Sequence, residues 1–289
     1  MTAENNSKPV RNLTVFYLCY NQWDIITESL LNLASGLSSD IISSVRVFIC
    51  DDCSSRDKSK DLLFSLNCYP KLEVRIYRNS NNLGPGPSRN YLLSICNSSH
   101  FCFVDGDDAI SAPAIHEFFN APADFEIYQF PIILGSRFIS TAVSTPNSSY
   151  LHWLYPRWGL CTGRQKLLFT SCSRIISSSF ARKYSYCYGT SRRYEDILPY
   201  AICSIYAGSI RICLEPLIRA RVSLTSGSRS VKLAFYRYLL ESLRSLWTFD
   251  FPSTSFIFLT SLTLQSVRSV SFSYLRSLFH RQFTAISRK

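Results

Sequence analysis

The sequence predicts an α/β fold built on a mainly parallel sheet with helices on both faces. Three observations predict it. Over the first 135 or so residues, short β-branched and aromatic runs alternate with segments whose apolar residues recur at helical spacing, the rhythm of βαβ units. Polar clusters fall at the ends of the strand-like runs, where open α/β sheets collect ligands. The composition is that of a folded chain: 46% hydrophobic and 18% charged over 289 residues, which argues against disorder and fits one large domain, or one domain plus an appendage.

The elements follow in order. "LTVFYLCY" (13–20) is a buried strand. "WDIITESLLNLASGL" places Ile26, Leu30, Leu33 and Leu37 on one helical face. "VRVFIC" is the second strand, and "SSRDKSKDLLFSL" opens with Ser and Asp cap candidates before a helix. "LEVRIY" is the third strand, "GPSRNYLLSIC" a helix begun after Gly and Pro, "FCFV" the fourth strand and "EIYQFPIIL" another. From about 122 to 188 the pattern loosens. "YLHWLYPRWGLCTG" is rich in aromatics, and its Trp153 and Trp158 suit a core. "TSRRYEDILPYAICSIYAG" becomes helical after its Glu–Asp pair, and "IRICLEPLIRARVSLTSGSR" reads as a strand followed by a basic loop.

Residues 231–289 change character. "VKLAFYRYLLESLRSLW" and "VRSVSFSYLRSLFHRQF" mix aromatics with Arg, and the segment holds eight Lys/Arg against two acids. Such a segment suits an anionic membrane surface or a helical cap on the domain. The expected division is therefore a domain over 1–230, with halves at about 11–120 and 121–230, and a basic, aromatic helical extension over 231–289. The net charge of +11 attracts polyanions. No nucleic-acid motif accompanies it, so no nucleic-acid partner is expected.

The eleven cysteines are odd in number and several lie in strand-like runs, which reads as reduced thiols of a cytoplasmic protein. "CDDC" (50–53) has no second pair at zinc spacing. The polar start lacks the apolar core of a signal peptide, and "FIFLTSLTL" is too short to span a bilayer. The four histidines show neither metal spacing nor a triad arrangement.

The chemistry concentrates in carboxylates. Asp105, Asp107 and Asp108 follow the fourth strand within four positions. If the strand continues, Asp105 and Asp107 share a side. Such a pair can hold Mg²⁺ or Mn²⁺, ions that commonly bridge to substrate phosphates. The plainer reading is a solvated turn with Asp108 capping the next helix. Asp51 and Asp52 end the second strand; one can accept from a base or ribose while Asp52 or Ser54 caps a helix. "NLGPGPSRN" has Arg where a dinucleotide fingerprint has its third Gly, and it does not follow the first strand, so Arg89 suits a diphosphate or nucleobase contact or a plain surface turn. Glu195 and Asp196 open a helix, where acids favour the dipole or serve as general base.

Taken in order, "LTVFYLCYN", "VRVFICDDCSSRD", "NNLGPGPSRN", "FCFVDGDDAI" and "YEDI" resemble the inverting glycosyltransferases of family 2, over residues 13–198. Cys53 stands where that pattern has Gly, and Ser88 where it has Ala. The resemblance implies a GT-A fold with a Rossmann-like, mainly parallel central sheet. It also implies transfer from a nucleotide-diphospho-sugar, most often UDP-linked, to a glycan or lipid-linked glycan. It implies roles: Asn21, Asp51, Asp52, Arg89 and Asp105 for the nucleotide-sugar, Asp105, Asp107 and Asp108 for Mn²⁺ or Mg²⁺, and Asp196 beside Glu195 as catalytic base. Arg219, Arg221 or Ser226 would clamp the diphosphate from the other side. The expected location is cytoplasmic, with the inner face of the plasma membrane as a peripheral contact. The competing classes are a nucleotidyltransferase of related architecture and a non-catalytic basic protein bound to membrane or nucleic acid. The former usually carries a Gly-rich basic loop after strand one, where this chain reads "YNQWD".

Overall fold

The computed structural model describes residues 11–139, 171–221 and 234–251, the backbone alone for 234–237. Trp153, Trp158, Ser226 and everything after 251 therefore lie outside the described residues.

The chain runs β1 (Leu13–Cys19), α1 (Trp23–Gly36), α2 (Ser39–Ile42), β2 (Val45–Asp51), α3 (Ser59–Ser65), β3 (Glu73–Arg78), α4 (Pro85–Ser94), β4 (His100–Asp105), β5 (Asp108–Ile110) and α5 (Ala112–Phe119). Then come β6 (Ile127–Gln129), β7 (Ile132–Leu134), β8 (Arg137–Ile139), a 3₁₀ turn (Ser171–Ser173), β9 (Arg174–Ser177) and α6 (Ser178–Lys183). The last elements are α7 (Ile197–Tyr206), β10 (Ile210–Ile212), β11 (Ile218–Ala220) and α8 (Ala234–Thr248).

Seven strands form the central sheet in the order β10-β6-β9-β4-β1-β2-β3. β1, β2, β3 and β4 are parallel, and β9 is the antiparallel insertion between β4 and β6. The two-residue period of the strands divides the core. Val15, Tyr17, Val47, Ile49, Cys102 and Val104 face a cluster with α1 and α5, while Phe16, Phe48, Phe101 and Phe103 face the other side with α4, α7 and α8. Phe16 is central there, with its ring 5.0 Å from that of Phe103. The helix predicted for 23–37 buries Ile26, Leu30, Leu33 and Leu37, as its spacing requires.

Two expectations are corrected. "EIYQFPIIL" is two strands, not one: β6 pairs in the central sheet and β7 in a four-stranded sheet of order β5-β11-β7-β8. Pro131 lies between them and has no N–H for a ladder, and its carbonyl instead accepts from Leu217 N at 3.0 Å. "IRICLEPLIRA" likewise splits into β10 and β11, one in each sheet. α8 is a helix as expected, and its Leu239, Leu243 and Leu246 belong to the core on the α7 side.

Among the described residues the cysteines are unbridged, and Cys19, Cys50 and Cys102 are buried. His100 is buried too, edge-on to Phe118 and Tyr128. Burial lowers its pKa from 6.5 to about 4. The unfolded chain therefore binds the extra proton first on acidification. The stability held by neutral His100 is complete above pH 6.5 and is lost as pH falls toward 4, by about 3 kcal/mol at most. Chemical denaturation across that window should show the loss, and His100→Phe should flatten it. An unchanged slope in the variant would contradict this reading.

Candidate active site

The carboxyl ends of β1, β2, β3 and β4 meet along one edge, because parallel strands in one register end together. At the β1 end, Asn21 adopts φ 63, a left-handed conformation that Asn tolerates. Its N–H donates to Ser54 Oγ at 2.8 Å, and its Oδ1 accepts from Ser55 N at 2.8 Å. The Ser54 hydroxyl donates to Asp51, whose other oxygen accepts from Arg78. Asp51, 1% exposed, thus has both oxygens engaged inside the protein and braces the β1–β2 edge.

Asp52 is placed differently. Its Oδ1 accepts from Asn79 Nδ2 and Leu83 N, both at 2.8 Å, and among the described residues its Oδ2 accepts from Gly84 N alone, at 2.8 Å. A carboxylate offers about four acceptor positions, so Oδ2 retains one for an incoming N–H. Neither Asp52 nor Ser54 caps a helix, which corrects that alternative: α3 starts at Ser59, whose N–H goes to Asp57 Oδ1 at 2.9 Å. Cys53 has φ 65, which explains why the family pattern has Gly at this position. Ser88, replacing Ala, is buried, and its Oγ accepts from Asn79 Nδ2 at 3.0 Å.

Gly84, at φ 87, turns the chain into α4, and Pro85 starts the helix. α4 is drawn so close to the loop before α7 that a Cβ on Gly86 would land on the Gly189 carbonyl oxygen. That approach delivers Arg89 to the centre of the site. Arg89 is 4% exposed. It donates Nη2 to Asp105 Oδ1 at 2.7 Å and Nη1 to Glu195 Oε1. The Tyr188 and Phe103 rings flank its guanidinium, at 5.1 and 5.9 Å. Arg89 is therefore neither a surface residue nor an idle cation: it ties the strand-four acid to the Glu–Asp pair.

β4 ends at Asp105, a turn takes residues 106 and 107, and β5 begins at Asp108. The strand does not continue, so Asp105 and Asp107 do not share a strand face, and α5 is preceded by Ser111 rather than capped by Asp108. Asp108 is 9% exposed and accepts from Arg221 N at 3.2 Å. Burial, then Asp105 and Asp107, pushes its carboxyl up to about 8. Asp107 is raised by burial and by Asp105. Asp105, Asp108 and Cys172 place one donor atom each within 4.8 Å of one another, while Asp107 is not part of that group. Two carboxylates and a thiol are a donor set that fits a divalent cation. The Arg221 side chain pairs with Glu28 at 2.6 Å and is 42% exposed, so its hydrogen bond to Asp108 comes from its backbone while its charge acts on that acid from further off.

Asp196 immediately precedes α7, with no side-chain cap bond. Burial first, and then Glu195, raises its carboxyl well above the ordinary range, with Arg89 opposing. A raised carboxylate is the better proton acceptor.

Asn21, Asp51, Asp52 and Asp105 gather at the ends of β1, β2 and β4, and Arg89 stands between Asp105 and Glu195; Arg219 lies in β11 and Arg221 follows it, its side chain turned to Glu28. Sequence reasoning missed Arg78, Asn79, Tyr188 and Cys172. Asn79 was findable, since it follows β3 as Asp52 follows β2; Cys172 carried no signal, because its place depends on how β9 returns beside β4.

A parallel sheet with this carboxylate edge, crossed by one antiparallel strand and flanked by a small second sheet, is the fold of GT-A glycosyltransferases. The chain belongs to glycosyl transferase family 2, whose model matches residues 14–186. It is similar to the poly(ribitol-phosphate) beta-glucosyltransferase of Bacillus spizizenii, 33% identical over 101 residues, which is 35% of this chain and 16% of that protein. The chain thus spans only a small part of that relative's length. Its fold is similar to S. aureus TarS 1-349 in complex with UDP-GlcNAc, with a TM-score of 0.68 and 18% identity, covering 89% of this chain and 73% of that one. It is also similar to the mannosyltransferase PcManGT from Pyrobaculum calidifontis in complex with GDP-Man and Mn²⁺, with a TM-score of 0.59 and 10% identity, covering 98% and 82%.

Proposed function

We propose that this glycosyltransferase moves a sugar from a nucleotide-diphospho-sugar, UDP-linked by preference, to a glycan or lipid-linked glycan acceptor, inverting the anomeric centre. The observation that carries this reading is the bridge of Arg89 between Asp105 and Glu195, which ties the acid at the end of β4 to the Glu–Asp pair before α7 through one buried cation. Asp52 Oδ2 takes a nucleobase N–H, with Asn21 and the braced Asp51 shaping that end of the pocket. Asp105 and Asp108, with Asp107 beside them, hold Mn²⁺ or Mg²⁺; such an ion, when bound, offsets charge growing on the departing diphosphate. Asp196 takes the proton from the acceptor hydroxyl as that oxygen attacks the anomeric carbon from the side opposite the diphosphate. Glu195, held by Arg89, positions it. Arg221 lines the donor side through its backbone N–H to Asp108.

The net charge of +11 favours an anionic acceptor, in keeping with the polyol-phosphate polymer in the name of the Bacillus relative. The family assignment and the "YNQWD" sequence after β1 favour this reading over a nucleotidyltransferase. A turnover panel of UDP-, GDP- and dTDP-sugars with Mn²⁺ tests it: nucleoside diphosphate should be released from one of them, and release from none would end the enzyme reading.

We propose a cytoplasmic setting with peripheral membrane contact. No helix among the described residues is long and apolar enough to cross a membrane. α8 exposes Leu240, Arg244 and Trp247 along one side, a mixture suited to anionic lipid. Deleting α8 would strip three core leucines, so the cleaner variant is Leu240→Ser, Arg244→Ser, Trp247→Ser. It should lose sedimentation with phosphatidylglycerol vesicles while keeping its melting temperature; undiminished sedimentation would reject the contact.

A further inference from the structure

We propose that Cys172 completes the cation seat with Asp105 and Asp108, making it a mixed oxygen–sulfur site that prefers softer divalent cations than an all-carboxylate seat would. The inference rests on the reading of these acids as a cation site and adds a ligand from a distant part of the chain.

The register of the sheet places the thiol. β9 runs antiparallel to β4, pairing His100 with Ser177 and Phe101 with Ile176. The 3₁₀ turn that leads into β9 packs against β4 and carries Cys172 to the end of that strand, where the acids gather. β5 brings the third donor. Tyr17 O–H meets Ser29 Oγ at 2.7 Å, and Ser29 Oγ accepts from Ile110 N at 3.1 Å, so β1, α1 and β5 are tied together and Asp108 is held beside Asp105. The three donor atoms lie within 4.8 Å of one another. Donors sharing one ion tetrahedrally at about 2.0–2.3 Å stand roughly 3.3–3.8 Å apart, so a closing movement of about an ångström is enough.

A buried cysteine in a core usually acts as a small apolar group. Cys172 is 2% exposed, but its near neighbours here are two carboxylates, and the charged Arg89 acts on it as well. Carboxylate donors suit Mg²⁺ and Mn²⁺, whereas a thiolate favours softer ions. On coordination the S–H proton passes to solvent as the sulfur–metal bond forms, with no change of oxidation state, and a chelator reverses it.

Co²⁺ is the probe, titrated into the full chain after treatment with chelator. The wild type should develop a sulfur-to-cobalt charge-transfer band. Cys172→Ser should abolish the band and weaken Co²⁺ binding at least about tenfold, since even outer-shell changes at metal sites cost that much, while Mg²⁺ binding by competition stays nearly constant. Cys203→Ser, in the opposite core cluster, should keep the band. X-ray absorption of the wild type needs no variant and should show a sulfur neighbour to the cobalt. Absence of Co²⁺ binding, a shell of oxygen and nitrogen alone, or an unchanged band in Cys172→Ser would overturn the proposal. Sugar turnover with no sulfur ligation rejects the cysteine and leaves the transferase reading standing; sulfur ligation with no turnover does the reverse.

Discussion

Asp196→Asn should reduce sugar transfer by about 10²–10⁴-fold, the range lost with a positioned general base, and should leave donor binding nearly unchanged. The amide keeps the size and hydrogen-bonding reach of the carboxyl but cannot accept the acceptor's proton. The split between turnover and binding matters, because a merely structural Asp196 would lose both. The wild type also carries a pH signature. Burial and Glu195 hold the Asp196 carboxyl well above the ordinary range, so turnover should rise with pH along a limb displaced upward from that of a free aspartate. Steady-state kinetics across pH in both proteins check this. Turnover in the variant within a few-fold of wild type would place the base elsewhere.

Arg89→Met should be the most damaging substitution for the fold around the site. Arg89 serves Asp105 and Glu195 at once and is itself 5% exposed at the side chain. Removing it leaves Glu195 buried without its cation. Breaking such a pair costs about 3–5 kcal/mol. Asp105, at 41% exposed, is partly relieved by water, so the lower figure is expected. For a domain of this size that lowers Tm by about 6–12 °C. Arg89→Lys separates charge from geometry. It keeps the cation but lacks the fork that reaches two carboxylates. It should recover much of the stability and little of the turnover. Equal recovery of both would mean that the fork has no positioning role.

The contrast between Arg89 and Asp51 shows how far the sequence could be read. The strands, α1 and the clustering of acids at strand ends were legible, because a two-residue period and a helical apolar stripe are local properties. The partnerships were not. "DD" gives two adjacent carboxylates, but it cannot show that Asp51 spends both oxygens on Ser54 and Arg78 while Asp52 Oδ2 takes, among the described residues, only Gly84 N. "DGDD" suggested one continuing strand, yet the chain turns at Gly106, where a Cβ would strike the Leu18 carbonyl oxygen. Asp108 thereby moves from helix cap to strand start. Arg89 was legible as a polar loop residue, but its burial depends on the close approach of α4 to Gly189. The single run "EIYQFPIIL" concealed two strands because one proline has no N–H to continue a ladder. Cys172 depended on an antiparallel return that only the folded sheet reveals.

The roles proposed for these residues all require that a nucleotide-sugar binds at the carboxylate edge of β2 and β4. Calorimetric titration of UDP-sugar into the full chain with Mn²⁺, alongside Asp105→Asn, tests it most directly. Binding to the wild type that weakens about tenfold or more in the variant is the predicted result; equal binding by both proteins, or none by the wild type, would contradict it.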